Sequence, residues 1–229
     1  MNTYGNGRKF NQCVTSNVEA LLATLTDKSV TSSVYRETMF EIGKFMGQEL
    51  SKKLDPNKSY CVASTVEDAD FLSKGIIESI KENAFSVYLV CFWNDRINLN
   101  GTSVAPIYNK YHDNGFESSD SLIVVKSIIS GSCVVKTNIT ALIESVKPEK
   151  IFVLAPVMHK DSAVKLEKEF PIQITSLFNY FTLATDEHRD CKGEVLPGIG
   201  GSVYERLGFS GQADKNSYIP KIVHERMFA

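Results

Sequence analysis

Residues 122–133 read LIVVKSIISGSC, and the order of residue types in this stretch decides what kind of domain the chain builds. Its first part, 122–125, is a continuous apolar run of strand length, the pattern of a strand covered on both faces. After it come the small residues Ser130, Gly131, Ser132 and Cys133, and then an apolar periodicity that puts Val135, Ile139, Leu142 and Val146 on one helical face. A strand that passes through such a loop into a helix N-terminus brings backbone N–H groups, hydroxyls and the helix dipole to one point, where an anion can be held. Gly131 allows close backbone approach or a positive φ there. The plainer alternative is a tight turn in which Ser132 caps the helix and nothing binds.

The same alternation extends in both directions. SYCVAS (59–64), SVYLVCFW (86–93), KIFVLAP (150–156) and IQITSLF (172–178) read as strands, with helices over 66–83, 134–146 and 160–170 between them. Short apolar strands alternating with helices define an α/β domain with a central parallel sheet flanked on both sides. Upstream, NVEALLATL (17–25) and SSVYRETMFEIGKFMGQELSKKL (32–54) form an N-terminal helical segment. The longer helix has Ser33 as its N-cap and Tyr35, Met39, Ile42, Met46 and Leu50 on one face. Residues 1–14 are polar and glycine-dotted, which suggests a flexible arm ahead of a single domain over 15–229. The polar, aromatic-bearing excursion 94–120 is too long for a simple connection; its 94–117 portion is expected to form a small arm or hood. In parallel sheets ligands bind beyond the carboxyl ends of the strands, so attention falls on 64–70, 126–133 and the segment after the fifth strand.

Composition narrows the partners. A net charge of −2 on 229 residues supplies no global field for nucleic acid or anionic lipid. No apolar run approaches the roughly 20 residues that span a bilayer, and the first residues lack the apolar core of a signal peptide. Five scattered cysteines without a C-x-x-C, two of them (Cys61 and Cys91) inside apolar runs, suit a reduced, cytoplasmic protein. The segment GEVLPGIGG (193–201), with four glycines and a proline, is irregular backbone able to lie against a flat ligand, or a surface turn. His188 and Cys191 offer two metal ligands, too few for a site.

Taken in order, these pieces resemble the uracil phosphoribosyltransferase family, of the type I phosphoribosyltransferase fold, over roughly 33–209. VYRETMFEIGKFMGQEL is similar to the family's opening helix and VAPIYNKY to the end of its flexible arm. LIVVKSIISGSC resembles its PRPP loop, and GEVLPGIGG its Gly-Tyr-Ile-Val-Pro-Gly-Leu-Gly-Asp uracil-pocket segment. The resemblance implies transfer of ribose 5-phosphate from PRPP to uracil with Mg²⁺ and release of pyrophosphate. It also implies that Ser130, Gly131, Ser132 and Cys133, with Lys126 beside them, hold a phosphate, and that Leu196, Gly198 and Gly200 line the base pocket. A nucleotide or PRPP-like small molecule is then the partner, and a homodimer the default assembly.

The departures from the family pattern fall where its chemistry sits. The acid that takes the ribose hydroxyls is replaced by Val125, and the neighbouring position by Lys126. Valine accepts no hydrogen bond and lysine only donates. Two lost charged hydrogen bonds are worth about 3–6 kcal/mol, roughly two to four decades in rate if felt fully in the transition state. The Arg-Ala-Gly of the family's pyrophosphate loop is replaced by ASTVEDADF (63–71), whose Glu67, Asp68 and Asp70 repel an anion while suiting a helix N-terminus, with Thr65 and Asp68 at capping-box spacing. The closing Asp of the pocket segment is Gly201.

Three readings follow. The first is a diverged, non-catalytic homologue that keeps the phosphate cradle and base pocket and binds a nucleotide in a regulatory role, requiring no metal. The second is an active Mg²⁺-dependent transferase whose missing acids come from Asp120 or Glu205. The third is a structural subunit using the scaffold to bind another protein.

Overall fold

The computed structural model describes residues 7–95, 97–99 and 102–228. Its strands are β1 (Arg8–Phe10), β2 (Ser59–Thr65), β3 (Ser86–Asn94), β4 (Ile97–Leu99), β5 (Thr102–Val104), β6 (Ile107–His112), β7 (Ser121–Val125), β8 (Ile128–Ile129), β9 (Lys150–His159), β10 (Phe178–Asp186), β11 (His188–Arg189) and β12 (Val195–Leu196). Its helices are α1 (Ser16–Thr26), α2 (Ser32–Ser51), α3 (Val66–Asp68), α4 (Lys74–Ile80), α5 (Cys133–Val146), α6 (Ser162–Glu167), α7 (Ile172–Thr175), α8 (Val203–Arg206), α9 (Gln212–Ser217) and α10 (Lys221–Met227).

The main sheet runs β1-β10-β9-β7-β2-β3-β6, with β8 added beside β9. β3, β2, β7, β9 and β10 are mutually parallel, whereas β1 and β6 close the two edges antiparallel. Each central strand is buried on both faces, all seven residues of β2 and all five of β7 included, which explains why these strands read as unbroken apolar runs. One apolar cluster joins α1, α2, α4 and α10 to one face, and a second joins α5 and α6 to the other. Cys61 and Cys91 are fully buried in these layers, as their apolar neighbours imply.

The chain leaves β2 for β3 on one side and later returns to β7 on the other side of β2. The carboxyl ends of β2 and β7 therefore flank the reversal in strand order, where loops diverge and leave a crevice. This places the loops after β2 and β7 side by side.

Four expectations need correction. The fifth strand is not 172–178: α7 occupies its start, with Thr175 N–H bonded to the Pro171 carbonyl and Ser176 N–H to the Ile172 carbonyl, and β10 begins at Phe178. A short apolar run fits either period, and Pro171, extended at φ −67°, starts a helical turn that the β-branched content obscures. The arm over 1–14 is not loose along 8–10, because β1 pairs with β10 and Arg8 is buried; residues 1–6 lie outside the described residues. Part of the hood expected over 94–117, Ile107–His112, belongs to the main sheet as β6, and β4 and β5 form a separate hairpin. The N-cap of α2 is Thr31, whose hydroxyl accepts from Val34 N–H at 3.3 Å, so the helix starts before Ser33.

Candidate functional site

At the carboxyl ends of β2, β3 and β7 lies a cleft of about 280 Å³. Parts of the loop 126–135 and of the segment 194–204, with Glu67, Asn94 and Gln212, line it. Its walls are largely apolar, from Ile128, Ile129, Val134 and Val135 on one side and Val195, Ile199 and Val203 on the other.

The loop expected to hold a phosphate joins β7 to α5. After β7 the chain continues through Lys126 and Ser127 into β8, which pairs with the end of β9, and 130–133 then turns into the fourteen-residue α5. Ser130, Gly131 and Cys133 line the cleft. A Cβ at Gly131 would meet no protein atom within 4 Å, and its φ is not positive, so neither close packing nor a left-handed turn demands glycine there. Ser132 occupies the N-cap position of α5 without a side-chain cap bond; its hydroxyl instead donates to Glu169 Oε1 at 3.2 Å. Arg189, from β11, donates to the Ser130 carbonyl and braces the loop.

Lys126 does not behave as a free phosphate-binding cation. Its Nζ lies 2.6 Å from Asp68 Oδ2 and 3.0 Å from Glu67 Oε1, and all three residues are buried. Burial disfavours the charged ammonium, but the Asp68 and Glu67 carboxylates outweigh it and hold the lysine pKa above its ordinary value. Burial likewise opposes the Glu67 charge, and Lys126 followed by Lys215 reverses this and lowers the glutamate pKa. The two substitutions that look independent in the sequence are therefore one event: a cation on the loop after β7 meets acids on the loop after β2. The capping box expected of Thr65 and Asp68 does not form, since the Thr65 hydroxyl donates to the Asp68 carboxylate and caps no backbone group. Asp70 has a different task, accepting from Lys221 and Ile222 N–H at 2.9 Å each and so capping α10.

The pocket segment presents the other half of its residues from those the sequence suggests. Val195, Ile199, Gly201 and Ser202 line the cleft; Leu196, Gly198 and Gly200 do not. Leu196 pairs with His188 across the β11–β12 hairpin and is 45% exposed. Gly198 follows the cis Leu196-Pro197 bond and has φ +59°; both its backbone polar groups are already engaged, its N–H by Asp186 Oδ2 at 2.8 Å and its carbonyl by Arg8 Nη2 at 2.6 Å. A Cβ at Gly200 would stand 2.2 Å from the Leu25 carbonyl oxygen. These glycines let the segment fold against α1 and β10 and bear on the cleft only by placing their neighbours.

Of the substitute acids, Asp120 sits at the opposite end of the sheet, where it accepts from Ser59 N–H and pairs with Lys58, and Glu205 on α8 is not a lining residue. Neither replaces an acid in the cleft. Sequence reasoning missed Asn94, Val195, Ile199, Tyr204 and Gln212 as lining residues. Asn94, as the last residue of β3, was accessible through the strand-end rule; the others depend on how the pocket segment folds.

No protein-family model matches the chain. The uracil phosphoribosyltransferase of Sulfurisphaera tokodaii is 21% identical over 204 residues, which span 78% of this chain and 90% of that protein. Among solved structures, the AQ2163 protein from Aquifex aeolicus superposes with a TM-score of 0.69 at 14% identity, covering 86% of this chain and 97% of its own. A hypoxanthine phosphoribosyltransferase from Staphylococcus aureus is more distant, with a TM-score of 0.45 at 13% identity. The domain is thus a phosphoribosyltransferase-like α/β fold, similar in sequence to a uracil phosphoribosyltransferase along most of its length.

Proposed function

We infer that this protein binds a nucleoside monophosphate in its strand-end cleft without transferring phosphoribose, and acts as a binding or regulatory protein. The observation that carries this reading is the buried Lys126–Glu67–Asp68 cluster. Transfer from PRPP needs negative groups turned towards an oxocarbenium-like sugar and positive groups turned towards the departing pyrophosphate. Here the loop after β7 supplies an ammonium, and the loop after β2 supplies carboxylates that this ammonium already neutralises. A pyrophosphate would meet acids, and Val125, 2% exposed and outside the cleft lining, offers a ribose no acceptor.

What remains is suited to binding. The open space over Gly131 lies at the N-terminus of α5, where backbone N–H and hydroxyl groups can donate to a monophosphate, and the apolar walls suit a flat ring. Mg²⁺ belongs to the transferase reading and not to this one.

The purified chain, Mg²⁺ and PRPP are incubated with each nucleobase in turn and pyrophosphate is measured, while calorimetry follows UMP, CMP, AMP and IMP without PRPP. Binding of at least one nucleotide with no pyrophosphate above the uncatalysed background is the expected result. Sustained pyrophosphate release with any base overturns it.

A further inference from the structure

Two acceptors on residues lining the cleft have no hydrogen-bond partner among the described residues. Glu67 Oε2 and Asn94 Oδ1 are buried without a hydrogen-bond partner, on residues only 5% and 4% exposed that both line the cleft. Each has its other end committed. Glu67 Oε1 takes Lys126 Nζ at 3.0 Å. Asn94 Nδ2 donates to the Ala105 carbonyl at 3.1 Å and to Asn138 Oδ1 at 3.0 Å. A backbone carbonyl can only accept, so the bond to Ala105 assigns Nδ2 and leaves the Asn94 oxygen as the unpaired atom. Buried polar atoms are normally paired, and two orphaned acceptors in one pocket describe the partner that pocket lacks: a donor.

Among the described residues, the charged ones lining the cleft are Glu67, Glu194 and Lys126, and the lysine is already held between two carboxylates. Lys215, whose Nζ donates to the Asn94 backbone carbonyl at 2.7 Å, sets a second cation beside Glu67, so the charges there are close to balanced and the choice of ligand rests on the two unpaired acceptors.

We propose that Glu67 and Asn94 form a receptor for an exocyclic amino group, so that the cleft selects amino-bearing bases over their keto counterparts. An amino group offers two N–H donors, one for each acceptor. A keto oxygen in the same place sets its lone pairs against a carboxylate and a carbonyl. Cytosine and adenine carry such an amino group where uracil and hypoxanthine carry a keto oxygen. This inference rests on the nucleotide-binding reading given above and adds the identity of the base edge to it.

The test is calorimetric titration of the full chain with matched pairs, CMP against UMP and AMP against IMP, which share phosphate and ribose and differ at the amino or keto position. At least one amino member is expected to bind about tenfold or more tightly than its keto counterpart. In the Glu67→Gln variant, shown to be folded by its thermal transition, that ratio is expected to fall towards one. Equal or tighter binding of the keto members by the native chain overturns this inference and leaves the nucleotide-binding reading standing. A ratio unchanged in folded Glu67→Gln also overturns it. Failure of all four nucleotides to bind overturns both.

Discussion

Lys126 shows how one side chain redirects a loop. Next to a row of small residues it reads as a phosphate-binding cation, yet in the folded chain it is spent on Glu67 and Asp68. Breaking a buried pair by removing one partner strands the others. Lys126→Met is therefore expected to destabilise the fold by about 3–5 kcal/mol at neutral pH, measured by denaturant unfolding. The pH dependence has a definite sign. Glu67 has a lowered pKa in the folded state, so its contribution is present above the ordinary glutamate value and is lost as pH falls through the folded value. Without Lys126, the main cation opposing burial of the Glu67 charge is gone, so the deficit of the variant should shrink on acidification. Replacing all three residues, with Glu67→Gln and Asp68→Asn added, should recover part of the loss. Equal denaturation midpoints for Lys126→Met and the native chain would show that the cluster is not what holds the two loops together. Sequence reasoning identified each of these residues as a departure from the family pattern. It could not pair them, because 58 and 59 positions separate the lysine from its acids.

At the scale of elements, close approach between helices sets the frame for the cleft. α2 lies so near the π-helical segment Ala69–Ser73 that a Cβ on Gly43 would sit 2.3 Å from the Leu72 carbonyl oxygen. Backbone cannot yield as a flexible side chain would, so Gly43→Ala is expected to cost about 1–3 kcal/mol or more and to lower the thermal midpoint. Gly131→Ala is the contrasting case. The space above it is open, so stability should change by no more than about 0.5 kcal/mol, while nucleotide affinity falls because the added methyl enters the phosphate loop. A Gly131→Ala protein that unfolds early, or one that binds as well as the native chain, would contradict this. Elements with one unambiguous period, such as α2, α5, β3 and β7, were legible from spacing alone. The run 172–178 was not, because seven residues cannot separate a helical turn from a strand, and Pro171 settled the matter through its backbone.

Across the whole molecule, the first strand and the last third of the chain are tied by Arg8. Its guanidinium makes two bonds of 2.7 Å to Asp186 and a third to the Gly198 carbonyl, and Asp186 in turn holds Gly198 N–H. This buried clasp fixes the segment that supplies Val195, Ile199 and Gly201 to the cleft. Arg8→Ala leaves Asp186 as an uncompensated buried charge, so a loss of about 3–5 kcal/mol is expected, together with weaker nucleotide binding because one cleft wall is released. Asp186→Asn should be milder, since the amide oxygen still accepts one bond. Unaltered binding and stability in Arg8→Ala would show that the strand is dispensable.

Periodicity, strand length and small-residue loops were enough to specify a parallel α/β sheet, its strand-to-helix turns and the end of the sheet where a ligand belongs, because those features depend on neighbours within a few residues. Which residues face the cleft was beyond reach of that information. The glycines of 193–201 turn away while the residues between them turn inward, and a lysine finds its counter-charges on a different loop. Both outcomes arise from contacts between segments far apart in the chain, where burial forces every charge and every backbone group to find a partner.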